Sequence, residues 1–116
     1  MAGSEKLSKK VRGIFADERI SLLLSAASVW EIALKSDKGK IEAPAELVDE
    51  AITAFRIEEL PVRTRHVRNV SLLPLLSGHK DPFDRLIAAQ AISEGVPLVT
   101  NDSWLRRHYS GLSIVW

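Results

Sequence analysis

Cysteine is absent from the 116-residue sequence. That excludes a disulfide scaffold, a zinc–thiolate site, an iron–sulfur cluster and a thiol nucleophile, and it suits a reducing compartment such as the cytoplasm. A surplus of either charge is also missing: 16 basic residues stand against 15 acidic ones, for a formal net charge of +1. A strongly basic nucleic-acid wrapper is thereby excluded, so any such binding has to come from local patches. No apolar run approaches the roughly 18 residues of a membrane-spanning helix. The segment from Met1 to Gly13 is polar and lacks the apolar centre of a signal peptide. The three histidines, His66, His79 and His108, show no metal-ligand spacing and read as surface or loop residues. No serine stands in a triad motif with histidine and aspartate. The five prolines and six glycines are scattered as punctuation, without repeat, low-complexity segment or linker. A single domain over 1–116 is the expectation.

What is present is an alternation of short apolar runs and longer periodic segments, the α/β pattern. Leu7 to Asp17 reads as a helix with Leu7, Val11, Ile14 and Phe15 on one face. Ile20 to Leu24 is a continuous apolar run, short enough for a buried parallel strand. Ser28 then opens a helix to about Lys35, and a second helix runs from Ala45 to Phe55 after Pro44. A short strand is expected near Ile57–Leu60, a helix over Thr64–Leu73 and a loop over Pro74–Lys80. The clearest helix follows, with Asp81 as N-cap, Pro82 at the first helical position and Gly95 at the end. Val96–Thr100 reads as a strand, Ser103–Tyr109 as a short helix and Leu112–Trp116 as a last strand. In parallel sheets built this way, ligands sit beyond the carboxyl ends of the strands.

Three acids fall at that edge. Glu31 lies in the first turn after the Leu22–Leu24 strand, Asp84 in the first turn of the Pro82 helix, and Asp102 two residues beyond Thr100. Carboxylates gathered on a rim repel one another unless a cation sits between them. Oxygen ligands without histidine or cysteine favour Mg²⁺ or Mn²⁺ over zinc. Each acid also has a purely structural reading. Ser28-x-x-Glu31 fits a capping box, Asp84 favours the dipole of its helix, and Asp102 fits an N-cap. Thr100 reads either as a group orienting water or metal or as a plain strand-terminal hydroxyl. Arg85 either reaches phosphate or pairs with a rim carboxylate. Lys35, Lys38, Lys40 and the group Arg63, Arg65 and Arg68 read either as phosphate contacts or as solvated helix faces. Trp30, Phe83 and Trp104, at helix starts, read as packing residues.

At these same residues the chain resembles the PIN-domain nucleases, and among them the VapC-like toxins of type II toxin–antitoxin pairs. The resemblance is carried by Ser25 to Lys35, Gly39-Lys40-Ile41, His79 to Ala91 (with Asp81-Pro82-Phe83-Asp84-Arg85 at its centre) and Pro97 to Asp102, in that order and at that spacing. It implies a three-layer α/β/α sandwich around a parallel sheet and a Mg²⁺- or Mn²⁺-dependent endoribonuclease. Glu31, Asp84 and Asp102 then correspond to the catalytic and metal-binding acids, with Thr100 and Arg85 in support. The implied partners are an RNA substrate, a small antitoxin and a second copy of the chain, with no membrane and no DNA bound by the toxin itself.

The sequence departs from the family at its start. The family's first strand, which ends in an aspartate supplying the first ligand, has no counterpart here. Ahead of Glu31 the acids are Glu5, Asp17 and Glu18, none at an expected strand end. The expectation is a PIN-like domain truncated at its N-terminus and impaired in catalysis. The alternative is a catalytically inactive module that associates with an antitoxin or with itself.

Overall fold

The computed structural model describes residues 7–37, 39, 44–73, 81–100, 102, 105, 107, 109 and 111–116. They form α1 (Lys9–Ala16), β1 (Leu23–Ser25), α2 (Ala26–Asp37), α3 (Pro44–Phe55), β2 (Glu58–Leu60), α4 (Thr64–Val70), α5 (Pro82–Glu94), β3 (Leu98–Val99) and β4 (Ile114–Val115). The order of helices and strands is the expected one, and Leu105 and Arg107 are helical between β3 and β4. The expected loop over Pro74–Lys80 lies outside the described residues, as do Glu5, Lys38, Lys40, His79, Trp104 and His108. No helix among the described residues is long and apolar enough to cross a membrane.

The chain divides into two compact units, Met1–Pro61 and Val62–Trp116. In the first, Ser8 caps α1 by accepting from the Val11 amide at 3.1 Å, and Val11 is fully buried. Phe15 meets Phe55 edge to face at 5.3 Å between ring centres. β1 runs parallel to β2, with Leu23 opposite Glu58 and Ser25 opposite Leu60. The strand is shifted from its expected place: Ile20 is exposed, and Leu23 remains 44% exposed rather than buried. Pairing with β2 sets its limits, the Glu58 amide donating to the Leu22 carbonyl at 2.9 Å.

α2 begins earlier than Ser28, so the expected Ser28–Glu31 capping box does not form. Ser25 takes the capping place instead, its hydroxyl accepting from the Ala27 amide at 3.0 Å. Trp30 also departs from expectation: it is 59% exposed and does not pack in a core. α3 packs on α2 and ends with Arg56 in the left-handed region (φ 53°), where the Ile57 amide closes back on the Ile52 carbonyl.

In the second unit, α5 carries both expected end signals. The Asp81 carboxylate accepts from the amides of Phe83 (2.9 Å) and Asp84 (3.3 Å). Gly95 closes the helix at φ 67°, and the Val96 amide returns to the Ala91 carbonyl. Four consecutive residues of α5, Ala88 to Ala91, are buried. Consecutive positions on a helix point in different directions, so this stretch is enclosed all round; three of the four are alanines, and the fourth, Gln90, is a buried polar residue. Ala88 and Ala91 join Leu105, Tyr109 and Leu112 in one core, with Leu73, Val96, Leu98 and Ile114 packed against it. β3 runs parallel to β4, pairing Leu98 with Ile114 and Val99 with Val115. α4 is shorter than Thr64–Leu73, since Ser71 to Leu73 leave it as a turn.

His66 of α4 is a correction to the sequence reading. It is fully buried rather than on the surface or in a loop. Its Nδ1 accepts from the Arg63 amide at 3.0 Å, so Nε2 is the protonated nitrogen and donates to Glu94 at 2.9 Å. Arg65 binds the same carboxylate. These two donors, His66 first, hold the Glu94 carboxyl below its ordinary range.

Candidate active site

α5 offers Asp84 through its start. Pro82 and the Asp81 cap fix the first turn, and Asp84, half-buried, lies in that turn where its charge suits the helix dipole. Asp102 is placed by the end of β3. The Thr100 amide extends the ladder to the Val115 carbonyl at 3.2 Å. The Thr100 hydroxyl accepts from the Asp102 amide at 3.1 Å, turning the chain directly after the strand. The Asp102 carboxylate accepts in turn from the Leu105 amide at 3.4 Å, as the N-cap reading expects. Thr100 therefore orients backbone here.

Arg85 does something the sequence reading did not weigh. Its guanidinium donates to the carbonyl of Val70, at the end of α4, at 3.1 Å. It also donates to the hydroxyl of buried Tyr109 at 3.3 Å. The Tyr109 amide donates to the Leu105 carbonyl at 3.0 Å, and the Leu105 amide bonds Asp102. Hydrogen bonds thus link the residue beside Asp84, through Tyr109 and Leu105, to Asp102 within the second unit.

Glu31 lies in the first unit, half-buried on α2. Its carboxylate is engaged by Lys35 one turn later, at 3.2 Å. Asp17 and Glu18, the described acids ahead of it, stand at the end of α1. Asp17 is clasped by Arg19 at 3.0 Å, which lowers its carboxyl below the ordinary range through side-chain and then backbone hydrogen bonds. Glu18 is exposed and lies 3.9 Å from Arg56. Neither sits at a strand end.

The donor chemistry of Asp84 and Asp102 fits a hard divalent cation. Mg²⁺ is commonly held by one or two carboxylates and keeps several of its waters. Among the described residues, no group of three His, Asp or Glu side chains gathers as a ligand cluster. Of the basic residues, Lys35 and Arg65 are taken up by ion pairs, while Arg63 and Arg68 are exposed on α4. Phe83 is half-buried beside Asp84.

Comparison with known proteins identifies the fold and the family. No curated protein matches the chain. Among solved structures, the chain is similar to the DNA-bound VapBC complex from Salmonella typhimurium. The match has 21% identity and a TM-score of 0.69, over 93% of this chain and 84% of that one. It is also similar to VapBC2 from Rickettsia felis bound to a promoter DNA fragment, with 21% identity and a TM-score of 0.63, over 84% and 76% of the two chains. These likenesses establish a shared α/β fold. The family model for the PIN domain matches residues 1–110, nearly the whole sequence, and the chain belongs to the PIN-domain family.

Proposed function

We propose that the chain is a single PIN domain acting as a VapC-like endoribonuclease toxin, with Glu31, Asp84 and Asp102 as the acids of its site. The observation that carries this reading is the hydrogen-bond relay linking the Asp84–Arg85 turn to Asp102 within one unit of a PIN-family chain. The RNA phosphodiester is the substrate class. Mg²⁺ or Mn²⁺ is the metal in this reading, for which Asp84 and Asp102 are the hard oxygen donors of the second unit. When bound, such a cation polarises phosphoryl oxygens and makes water a stronger nucleophile at neutral pH. The protein's own part is positional. The capped start of α5 holds Asp84, and the Thr100 turn holds Asp102. Glu31 belongs to the first unit, where Lys35 engages it.

On this reading a sparse donor set gives reduced activity. Asp17 is clasped by Arg19 and Glu18 is exposed at the end of α1, so in this reading neither adds a carboxylate to the site. Weak metal binding and slow cleavage follow. The partners in this reading are a small antitoxin that blocks the acidic rim and a second copy of the chain, in the cytoplasm.

A second reading, an inactive module binding antitoxin or itself, is favoured by two observations in the first unit. Glu31 is engaged by Lys35, and Trp30, Leu47 and Phe55 are exposed. The deciding experiment compares cleavage of a structured RNA by the chain and by Asp84→Asn, in Mg²⁺ and in Mn²⁺. Metal-dependent cleavage that Asp84→Asn abolishes supports the nuclease. Equal cleavage by both removes Asp84 from the site. No cleavage by either, with co-purification of a small protein encoded beside it, supports the binding module.

A further inference from the structure

The Arg85 side chain breaks a local rule. A positive charge in the first turn of α5 faces the positive end of that helix's own dipole, so its own helix disfavours it. Its bonds lie elsewhere. The Val70 carbonyl lies at the end of α4, where it also accepts from the Leu73 amide at 3.1 Å. A cation there suits the negative end of α4. The second bond goes to the phenol of Tyr109, which is only 2% exposed. Arg85 thus joins three segments: the end of α4, the start of α5 with Asp84, and the helical turn that descends from Asp102. Its fork has rigid geometry, and two acceptors on different segments fix their relative placement.

We propose that Arg85 is a positioning residue, with Tyr109 as its anchor, that sets the spacing of Asp84 and Asp102. It acts through those acids and touches neither substrate nor metal. The inference rests on the reading of Asp84 and Asp102 as metal ligands, and the experiment is built to separate the two. Mn²⁺ alone is titrated into the full chain, and free ion is read by electron paramagnetic resonance. Thermal unfolding is measured in parallel without metal. Arg85→Gln lowers Mn²⁺ affinity by about tenfold, the effect usual for residues that orient ligands. Tyr109→Phe lowers it a few-fold while keeping the ring in the core and the melting temperature close to the parent's. Arg85→Lys, which keeps the charge but offers no planar fork, recovers only part of the loss.

If Arg85→Gln fails to fold, Tyr109→Phe decides. Melting temperatures that fall with Mn²⁺ affinity unchanged, while Asp84→Asn still weakens binding, overturn the positioning role and leave the ligand reading intact. Mn²⁺ binding that Asp84→Asn does not alter overturns the ligand reading and the positioning role with it.

Discussion

Replacing Asp81 by alanine separates a capping residue from a ligand at the start of α5. Asp81 and Asp84 both lie in the segment that resembles the PIN motif, three positions apart, and the structure gives them different work. The Asp81 carboxylate accepts two of the amides that a helix start leaves unpaired, from Phe83 and Asp84 at 2.9 and 3.3 Å. Losing an aspartate cap costs about 1 kcal/mol, within a range of about 0.5–2. The second bond is long, which places the expected cost near the middle of that range. One kcal/mol shifts the folding equilibrium about fivefold. Urea denaturation followed by far-ultraviolet circular dichroism reads that shift directly. Asp81→Asn keeps a capping oxygen and holds stability near the parent's. Asp84→Asn, which removes no cap, also unfolds near the parent's midpoint but loses Mn²⁺ affinity. Asp81→Asn as destabilised as Asp81→Ala would refute the cap as the source of the effect. Asp81→Asn that is stable but loses Mn²⁺ would move Asp81 into the ligand set.

Other outcomes follow from the same geometry. The Glu94 carboxyl is lowered by His66 and Arg65. Its contribution is therefore complete above about pH 4.5 and fades as the pH falls through the lower folded-state value. The urea midpoint of Glu94→Gln lies below the parent's at neutral pH and converges on it in acid, and a gap that stays constant down to about pH 3 would contradict this linkage. Gly95→Ala places a side chain in the left-handed region with open space around it, so its cost of about 1 kcal/mol is conformational alone. Arg56→Gly relieves the same kind of strain (φ 53°) and raises the urea midpoint. Lys35→Met removes a surface helix pair, barely changes stability and tightens Mn²⁺ binding by releasing Glu31. Weaker Mn²⁺ binding in that variant would show that Lys35 supports the acid.

What could be read in advance follows the range of the forces involved. Both ends of α5 were legible because Asp81, Pro82 and Gly95 act within one turn of where they stand. The acids Asp84 and Asp102 were legible as candidates because they follow such signals. β1 slid toward Ser25 because strand limits depend on a partner far along the chain, here β2. The burial of His66 was hidden for the same reason: its carboxylate partner lies 28 residues away, and the imidazole itself gives no local sign of it. The bonds of Arg85 to Val70 and Tyr109, 15 and 24 residues distant, were equally out of reach. At Ser28 the local signal misled. Its spacing to Glu31 fits a capping box, but Ser25, placed by strand pairing, starts the helix earlier.

The two parallel strand pairs differ in how much chain each must close. Leu23 meets Glu58 across 35 residues, whereas Leu98 meets Ile114 across 16. Closure entropy grows with the logarithm of loop length, and a doubling costs about 0.6 kcal/mol. The β3–β4 pair therefore closes at lower entropic cost. Closing the pair in the half that carries Asp84 and Asp102 costs about 0.6 kcal/mol less chain entropy than closing the pair in the half that carries Glu31.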